Sequence, residues 1–187
     1  MNEFIARPIE GGYSWTLTTR LGQILKKAES EFGKRDASYT ILGIEFADNG
    51  PQIWYPGNCG YIAIQLSTCA IGNPSKACYQ LAHECIHLLS PQGHRSANVL
   101  EEGLATAFAE SYVKTEFGVV IRPGLQCYAE ASDLARVLLS LDTNAIKTLR
   151  DTEPAISKIT HEQVVSAFPE VGEDIAIQLC APFERVT

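Results

Sequence analysis

The stretch Asn73-Pro-Ser-Lys-Ala-Cys-Tyr-Gln-Leu-Ala-His-Glu-Cys-Ile-His-Leu-Leu89 decides how this chain folds. Apolar residues recur along it at the spacing of one buried helix face: Cys78, Leu81, Ala82, Cys85, Ile86 and Leu89. Asn73 suits the N-cap position and Pro74 suits the first turn, while Pro91-Gln-Gly93 is typical of a chain that leaves a helix. The sequence therefore predicts a helix over residues 74–89.

The polar face of this predicted helix carries His83, Glu84 and His87. Because the two histidines are four residues apart, their imidazoles project from the same side about one turn apart and can bind one cation. Neutral imidazole suits zinc, and a carboxylate beside the ligands can take a proton from water that the metal activates. The pattern therefore indicates a zinc site in which Glu84 is the catalytic base.

A catalytic zinc site normally has three protein ligands and one open position, so a third ligand is expected downstream. Asn98-Val-Leu-Glu-Glu-Gly-Leu-Ala105 begins a second helix with two adjacent glutamates. With Asn98 as N-cap, Glu101 occupies the N3 position, where its carboxylate can cap the helix backbone. Glu102 points about 100° away and is predicted to be the third ligand. Small residues keep this helix thin enough to approach the first one: Gly103, Ala105, Ala107 and Ala109.

Two further roles stay open at this stage. His94 is a weaker candidate for the third ligand, because a metzincin pattern needs glycine at position 90 and histidine at position 93, where this chain has Ser90 and Gly93. We expect His94 in a loop near the entrance of the site. Three residues are candidates to stabilise the oxyanion of the attacked carbonyl, with the second of them favoured: Tyr112, Tyr128 and His161.

The segment HECIH at residues 83–87, followed by LEEGLA at residues 100–105, resembles the gluzincin metallopeptidases, in which a downstream glutamate completes a HExxH helix. Fourteen residues separate His87 from Glu102. This short spacing and the small size of the chain are similar to the compact minigluzincins. The resemblance covers about residues 61–112.

The resemblance implies a ligand set and a catalytic carboxylate: His83, His87 and Glu102 as zinc ligands, and Glu84 as the base. Glu101 stands where the family commonly has asparagine, a departure that leaves the ligand set unchanged. Such enzymes commonly hold an extended peptide along the strand before the HExxH helix. The resemblance therefore implies that Tyr61–Ser67 is the substrate-binding edge.

The chain before the site has the period of β-strands. Residues 39–46 and 52–55 flank Asp48-Asn-Gly-Pro51, which predicts a β-hairpin, and residues 61–67 form a third strand. A helix is predicted first, over residues 16–32. Further helices are predicted after the HExxH helix, over residues 98–117, 128–141, 144–150, 161–168 and 171–179. The expected fold is α+β, a mainly helical zincin-like domain over residues 1–187, with a small three-stranded antiparallel sheet packed on the HExxH helix.

Composition excludes several classes of function. The 187 residues carry 22 acidic and 15 basic side chains, a net charge of −7, and no Lys/Arg cluster, so nucleic acid is not an expected partner. No signal peptide and no apolar stretch long enough to cross a membrane are visible. The six cysteines show no CxxC pair and are expected to be reduced and mostly buried, which favours the cytoplasm.

Together, these patterns predict a zinc-dependent metallopeptidase that acts on a peptide or protein substrate. Two other functions remain compatible with the sequence. One is a binding or regulatory protein that retains zinc with little turnover, and the other is a zinc hydrolase of a non-peptide amide. The intact Glu84 favours hydrolysis over binding alone, because a purely structural zinc site does not need a base.

Overall fold

The computed structural model describes residues 8–9, 12–13, 16–93 and 97–185. Seven α-helices lie within them: α1 Leu17–Phe32, α2 Pro74–His87, α3 Val99–Phe117, α4 Gln126–Leu141, α5 Ala145–Arg150, α6 His161–Ala167 and α7 Glu173–Cys180. The strands are β1 Pro8–Ile9, β2 Gly12–Tyr13, β3 Thr40–Ala47, β4 Gln52–Trp54 and β5 Tyr61–Ser67. The predicted α+β, mainly helical architecture is confirmed, and each predicted helix is present with its ends displaced by at most two residues.

The three-stranded sheet is mixed, so the predicted antiparallel sheet and the predicted hairpin of residues 39–46 and 52–55 are both wrong. The strand order is β3-β5-β4, in which β3 runs parallel to β5 and β4 runs antiparallel to it. The loop between β3 and β4 crosses the end of β5: a Cβ on Gly50 would lie 2.7 Å from the backbone carbonyl carbon of Leu66. This close approach takes β4 to the far side of β5.

The central position of β5 follows from its side chains. Ile62, Ala63, Ile64 and Leu66 are all buried, whereas every residue of β3 and β4 is exposed or half-buried. A near-continuous apolar run is typical of a strand that is covered on both faces. One face of the sheet packs against α2, so the HExxH helix lies on the sheet as expected.

Helix α2 begins where the sequence predicts, because the Asn73 side chain accepts a hydrogen bond of 3.0 Å from the backbone N–H of Lys76. Helix α3 begins in the same way at Asn98, which accepts a hydrogen bond of 2.9 Å from the backbone N–H of Glu101. These two caps fix the starting points, and hence the rotational phases, of the two helices that carry the site.

Helix α3 lies between α2 and α4. Gly103 faces α4, because a Cβ at this position would collide with the carbonyl oxygen of Ala131. The expectation that Gly103 thins α3 for its approach to α2 is therefore wrong, since the residue serves the contact with α4.

A buried arginine fastens the C-terminal ends of α1 and α2 to α5. The Arg150 guanidinium donates hydrogen bonds of 2.7 to 3.2 Å to five backbone carbonyls: Phe32, Gly33, Lys34, Leu89 and Pro154. These acceptors lie at the end of α1 and just after it, two residues after α2, and after α5. The anchor therefore holds the end of the HExxH helix against the rest of the fold.

None of the six cysteines forms a disulfide, as predicted, but fewer are buried than expected. Cys78 and Cys85 lie in the core, whereas Cys59 and Cys69 are exposed and the remaining two are half-buried. In the part of the chain that the structure describes, no helix combines the length and the apolar character needed to cross a bilayer.

Candidate metal centre

The three predicted ligands meet between α2 and α3. His83, His87 and Glu102 each offer one ligand atom, and these atoms lie within 4.8 Å of one another. The Oε2 atom of Glu102 lies 3.1 Å from Nε2 of His83 and 3.8 Å from Nε2 of His87. The centroids of the two imidazole rings are 5.1 Å apart, as expected for residues one helical turn apart. Two helices with independently fixed starts therefore converge on one point.

The donor set fits a zinc ion. Zinc binds imidazole nitrogen and carboxylate oxygen at about 2.0–2.2 Å, so donors that share one ion lie about 3–4 Å apart. The distances between His83, His87 and Glu102 are close to this range. The pocket also contains three buried carboxylates, Glu84, Glu101 and Glu102, which together favour a cation.

Glu101 has a different role from the predicted one. Its carboxylate does not cap the helix but accepts a hydrogen bond of 2.9 Å from Nδ1 of His87. A carboxylate on Nδ1 fixes the tautomer of the ring and leaves Nε2 free to bind a metal. The two adjacent glutamates of α3 therefore serve the same site, with Glu102 facing the ligand atoms and Glu101 orienting His87.

Glu84 is buried beside the ligands and lines the cavity in front of them. Burial raises the pKa of its carboxyl above the usual range, although His87 and His83 act in the opposite direction. A carboxyl with a raised pKa is better matched to accepting and returning a proton near neutral pH. This environment suits the role that the sequence predicts for Glu84.

The charges around His87 favour a cation at this position. Burial alone would lower the pKa of His87, but Glu102, Glu101 and Glu84 together raise it to about 10. Burial alone would raise the pKa of Glu102, but His87 and His83 lower it to about 2. In the absence of a metal, the imidazolium of His87 therefore supplies the positive charge that the carboxylates need.

A cavity of about 650 Å³ opens in front of the ligands. One wall is β4 with the residue after it, represented by Gln52, Ile53 and Tyr55, and another is the chain after α7, represented by Phe183 and Arg185. The volume falls in the range of about 300–1,000 Å³ typical of pockets for small molecules and short peptides. The centre is thus accessible from outside, as a catalytic site requires.

The strand expected to hold the substrate is not an edge strand. Residues Ala63–Gln65 of β5 pair with β3 on one side and with β4 on the other, so their backbone groups are used within the sheet. The edge position expected for Tyr61–Ser67 is therefore wrong for its central residues, Ala63–Gln65. The strand that both lines the cavity and ends the sheet is β4, Gln52–Trp54.

Only one of the three oxyanion candidates lies near the centre. The ring of Tyr128 packs edge-on against His83 at a centroid distance of 5.9 Å, and burial, followed by Glu102, raises its pKa to about 12. Tyr112 instead accepts a hydrogen bond from Arg20, and His161 pairs with Glu162 on α6. His94 lies outside the described residues.

The sequence patterns do not single out Tyr55 or Arg185, although both line the cavity. Tyr55 directly follows β4, and burial raises its pKa while the charge of Glu101 acts in the same direction. Neither residue belongs to a motif, and each reaches the site through contacts between distant parts of the chain.

Comparisons of the chain with protein-family models, with curated proteins and with solved structures found no match.

Proposed function

We propose that this protein is a zinc-dependent peptidase. The observation that carries the proposal is the convergence of His83, His87 and Glu102 beside the buried Glu84, at the inner end of an open cavity. Three ligands with access from outside are the arrangement of a catalytic zinc site rather than of a closed structural one. The free thiols support the further proposal that the enzyme works in the cytoplasm.

Each residue has a defined task in this proposal. Zinc held by the three ligands would polarise the carbonyl under attack and lower the pKa of water toward about 7. Glu84 accepts the proton of the attacking water and passes it to the amine that leaves. Glu101 keeps His87 in the orientation that presents Nε2 to the metal.

The substrate is expected to lie along β4. Among the described residues, this strand lies at the end of the sheet beside the cavity, so a peptide that extends along the cavity would run next to it. The competing function, a zinc-retaining binding protein, would use the same edge. The raised pKa of Glu84 supports hydrolysis, because a binding site gains nothing from a buried carboxyl tuned for proton transfer.

The test uses purified protein, zinc analysis and a peptide mixture whose cleavage is followed by mass spectrometry. We expect wild type to hold stoichiometric zinc and to cleave peptides. Glu102→Ala should lose both properties, whereas Glu84→Gln should keep zinc and lose on the order of 10²–10⁴-fold in cleavage rate. Glu31→Gln, at an exposed ion pair on α1, is the control that should keep both.

Four results would contradict the proposal. A wild-type protein that takes up no zinc would remove its basis, and full zinc retention by Glu102→Ala would show that the third ligand is another residue. If Glu84→Gln cleaves as fast as wild type, Glu84 is not the base. If zinc-loaded wild type cleaves nothing and Glu84→Gln has the same zinc content and the same lack of cleavage, the binding function is favoured.

A further inference from the structure

The chain after α7 is fastened beside the candidate centre. The backbone N–H of Val99 donates to the carbonyl of Ala181 at 3.0 Å, and the N–H of Phe183 donates to the carbonyl of Ala97 at 3.1 Å. Asn98 and Pro182 form an antiparallel bridge between these bonds. The paired segment directly precedes Glu101 and Glu102 of α3. Residues 181–183 are thus held against the strand-like entry to the helix that carries the third ligand.

This pairing brings Arg185 to the cavity. The residue is exposed, lines the cavity together with Glu84, and its guanidinium carbon lies 5.8 Å from the ring centroid of Tyr128. The same Tyr128 ring packs against His83 and, at 4.8 Å between centroids, against Phe183. Stacking on an aromatic ring holds a guanidinium in one plane while leaving its N–H groups free to donate.

Arg185 brings a positive charge to a cavity whose other charged side chains are mainly acidic. Among the described residues that line it, Glu84, Glu101 and Glu102 carry carboxylates, and Arg185 is the one lysine or arginine. With a divalent ion in place, the three carboxylates and Arg185 bring the formal charge to zero. The positive charge of Arg185 opposes the larger effect of burial on the pKa of Glu84 and adds to the effect of the histidines that lower the pKa of Glu102, so it is within electrostatic reach of both carboxyls.

The contacts of Arg185 differ from those of the arginine that supports the fold. Arg150, the buried counterpart, donates to five carbonyls and joins three parts of the chain, whereas Arg185 faces the open cavity. A planar guanidinium that faces a substrate pocket is matched to a carboxylate, which it can bind through two parallel hydrogen bonds. The limited volume of the cavity keeps such a carboxylate within a few residues of the scissile bond.

We propose that Arg185 binds a carboxylate of the substrate, so that the enzyme prefers peptides with a negative charge close to the bond that is cut. This inference rests on the proposed peptidase function. The carboxylate can come from the C-terminus of a peptide or from an Asp or Glu side chain, and the two sources share the chemistry that Arg185 recognises. The experiment therefore contains one pair of peptides for each source.

The test compares N-acetylated hexapeptides of one sequence. The first pair differs in a free or an amidated C-terminus, and the second pair, amidated throughout, carries Glu or Gln beside the cleavage site. Binding is measured by calorimetry on zinc-loaded Glu84→Gln protein, and kcat/KM is measured on protein with Glu84 intact. Arg185→Gln and Arg185→Lys are examined in both backgrounds, with Arg122→Gln as the control at an exposed ion pair.

We expect the charged member of at least one pair to be preferred by about 10- to 100-fold, the size of a hydrogen-bonded contact between charged groups. Arg185→Gln should bring the ratio within that pair close to one, Arg185→Lys should retain part of the preference, and Arg122→Gln should retain all of it. A preference in the first pair identifies the C-terminal carboxylate as the source, and one in the second pair identifies the side chain.

Two results would overturn the inference. One is a wild-type protein that treats both members of each pair alike. The other is an Arg185→Gln variant that weakens charged and uncharged peptides equally, because Arg185 would then act on the reacting centre and not on a substrate carboxylate. If protein with Glu84 intact cleaves no peptide, the peptidase proposal is contradicted. The carboxylate preference is still tested, because binding is measured separately on Glu84→Gln protein.

Discussion

Two regions of this molecule bury charge, and they do so in opposite ways. At the Arg150 anchor, one cation is surrounded by backbone carbonyls that the fold holds in place, so its hydrogen bonds are complete within the chain. At the candidate metal centre, Glu84, Glu101 and Glu102 are buried around two histidines and face a cavity. In the metal-free chain, a proton on His87 and the charge of Arg185 compensate this negative charge only in part.

This difference in partners distinguishes a buried charge that stabilises the fold from buried charges that serve a function. A buried charge whose partners are all backbone groups of the same chain stabilises one arrangement of that chain. A buried cluster of like charges opposes folding unless something else compensates it. The carboxylates between α2 and α3 therefore support the proposed metal ion, whereas the hydrogen bonds of Arg150 leave no need for a ligand.

Replacing the anchor should have the largest effect on folding. Arg150→Met leaves several buried carbonyls without a donor, and we expect the free energy of unfolding to fall by about 3–5 kcal/mol. Urea denaturation followed by circular dichroism measures this change. Arg136→Met, at a half-exposed pair with Glu110, should cost about 1 kcal/mol or less. Equal small losses in the two variants would show that the anchor is not a main support of the fold.

Weakening the support of His87 should have an intermediate effect, confined to metal binding. Glu101→Gln keeps an oxygen that can accept from Nδ1 of His87 but loses its charge, so zinc affinity should fall by about 10-fold, and Glu101→Ala should approach 100-fold. Competition with a zinc-binding dye measures both, with Glu31→Gln as control. An unchanged affinity in Glu101→Ala would exclude the orienting role, and a complete loss of zinc would make Glu101 a ligand.

The parts of the site that the sequence predicts are those set by local geometry. His83 and His87 share a face because they are four residues apart, and the caps at Asn73 and Asn98 fix where each helix starts. Glu102 could be assigned because a helical phase distinguishes it from its neighbour. These features depend on a few consecutive residues, so the candidate ligand set can be predicted from the motif alone.

The parts that sequence reasoning misses depend on contacts between distant segments. Glu101 has a favourable local alternative as a helix cap, and only the position of His87 shows why its carboxylate turns to the site instead. The order of the strands depends on Gly50 passing the backbone of Leu66, and the place of Arg185 depends on the pairing of residues 181–183 with 97–99. No periodicity or motif records such contacts.

The last expected effect, which is no larger than about tenfold per pH unit, is the dependence of zinc affinity on pH. Because the pKa of His87 is raised to about 10 in the metal-free protein, its imidazole carries a proton throughout the neutral range, and zinc must displace that proton. Apparent affinity should therefore rise about tenfold per pH unit from about pH 7 to about pH 8.5, whereas a histidine with an ordinary pKa near 6.5 would give a nearly flat profile there.

The same raised pKa has the opposite effect on the metal-free protein. The stability that it contributes is complete below about pH 6.5 and decreases as the pH rises toward about 10, while the stability gained from zinc increases over the same interval. Calorimetry in buffers with different heats of ionisation should detect about one proton released per zinc bound near pH 7.5. Zinc binding without proton release would mean that His87 is neutral before the metal arrives. In that case no protonated His87 would compensate the carboxylates of the metal-free protein. The difference between this centre and Arg150, whose partners are complete within the chain, would then be larger.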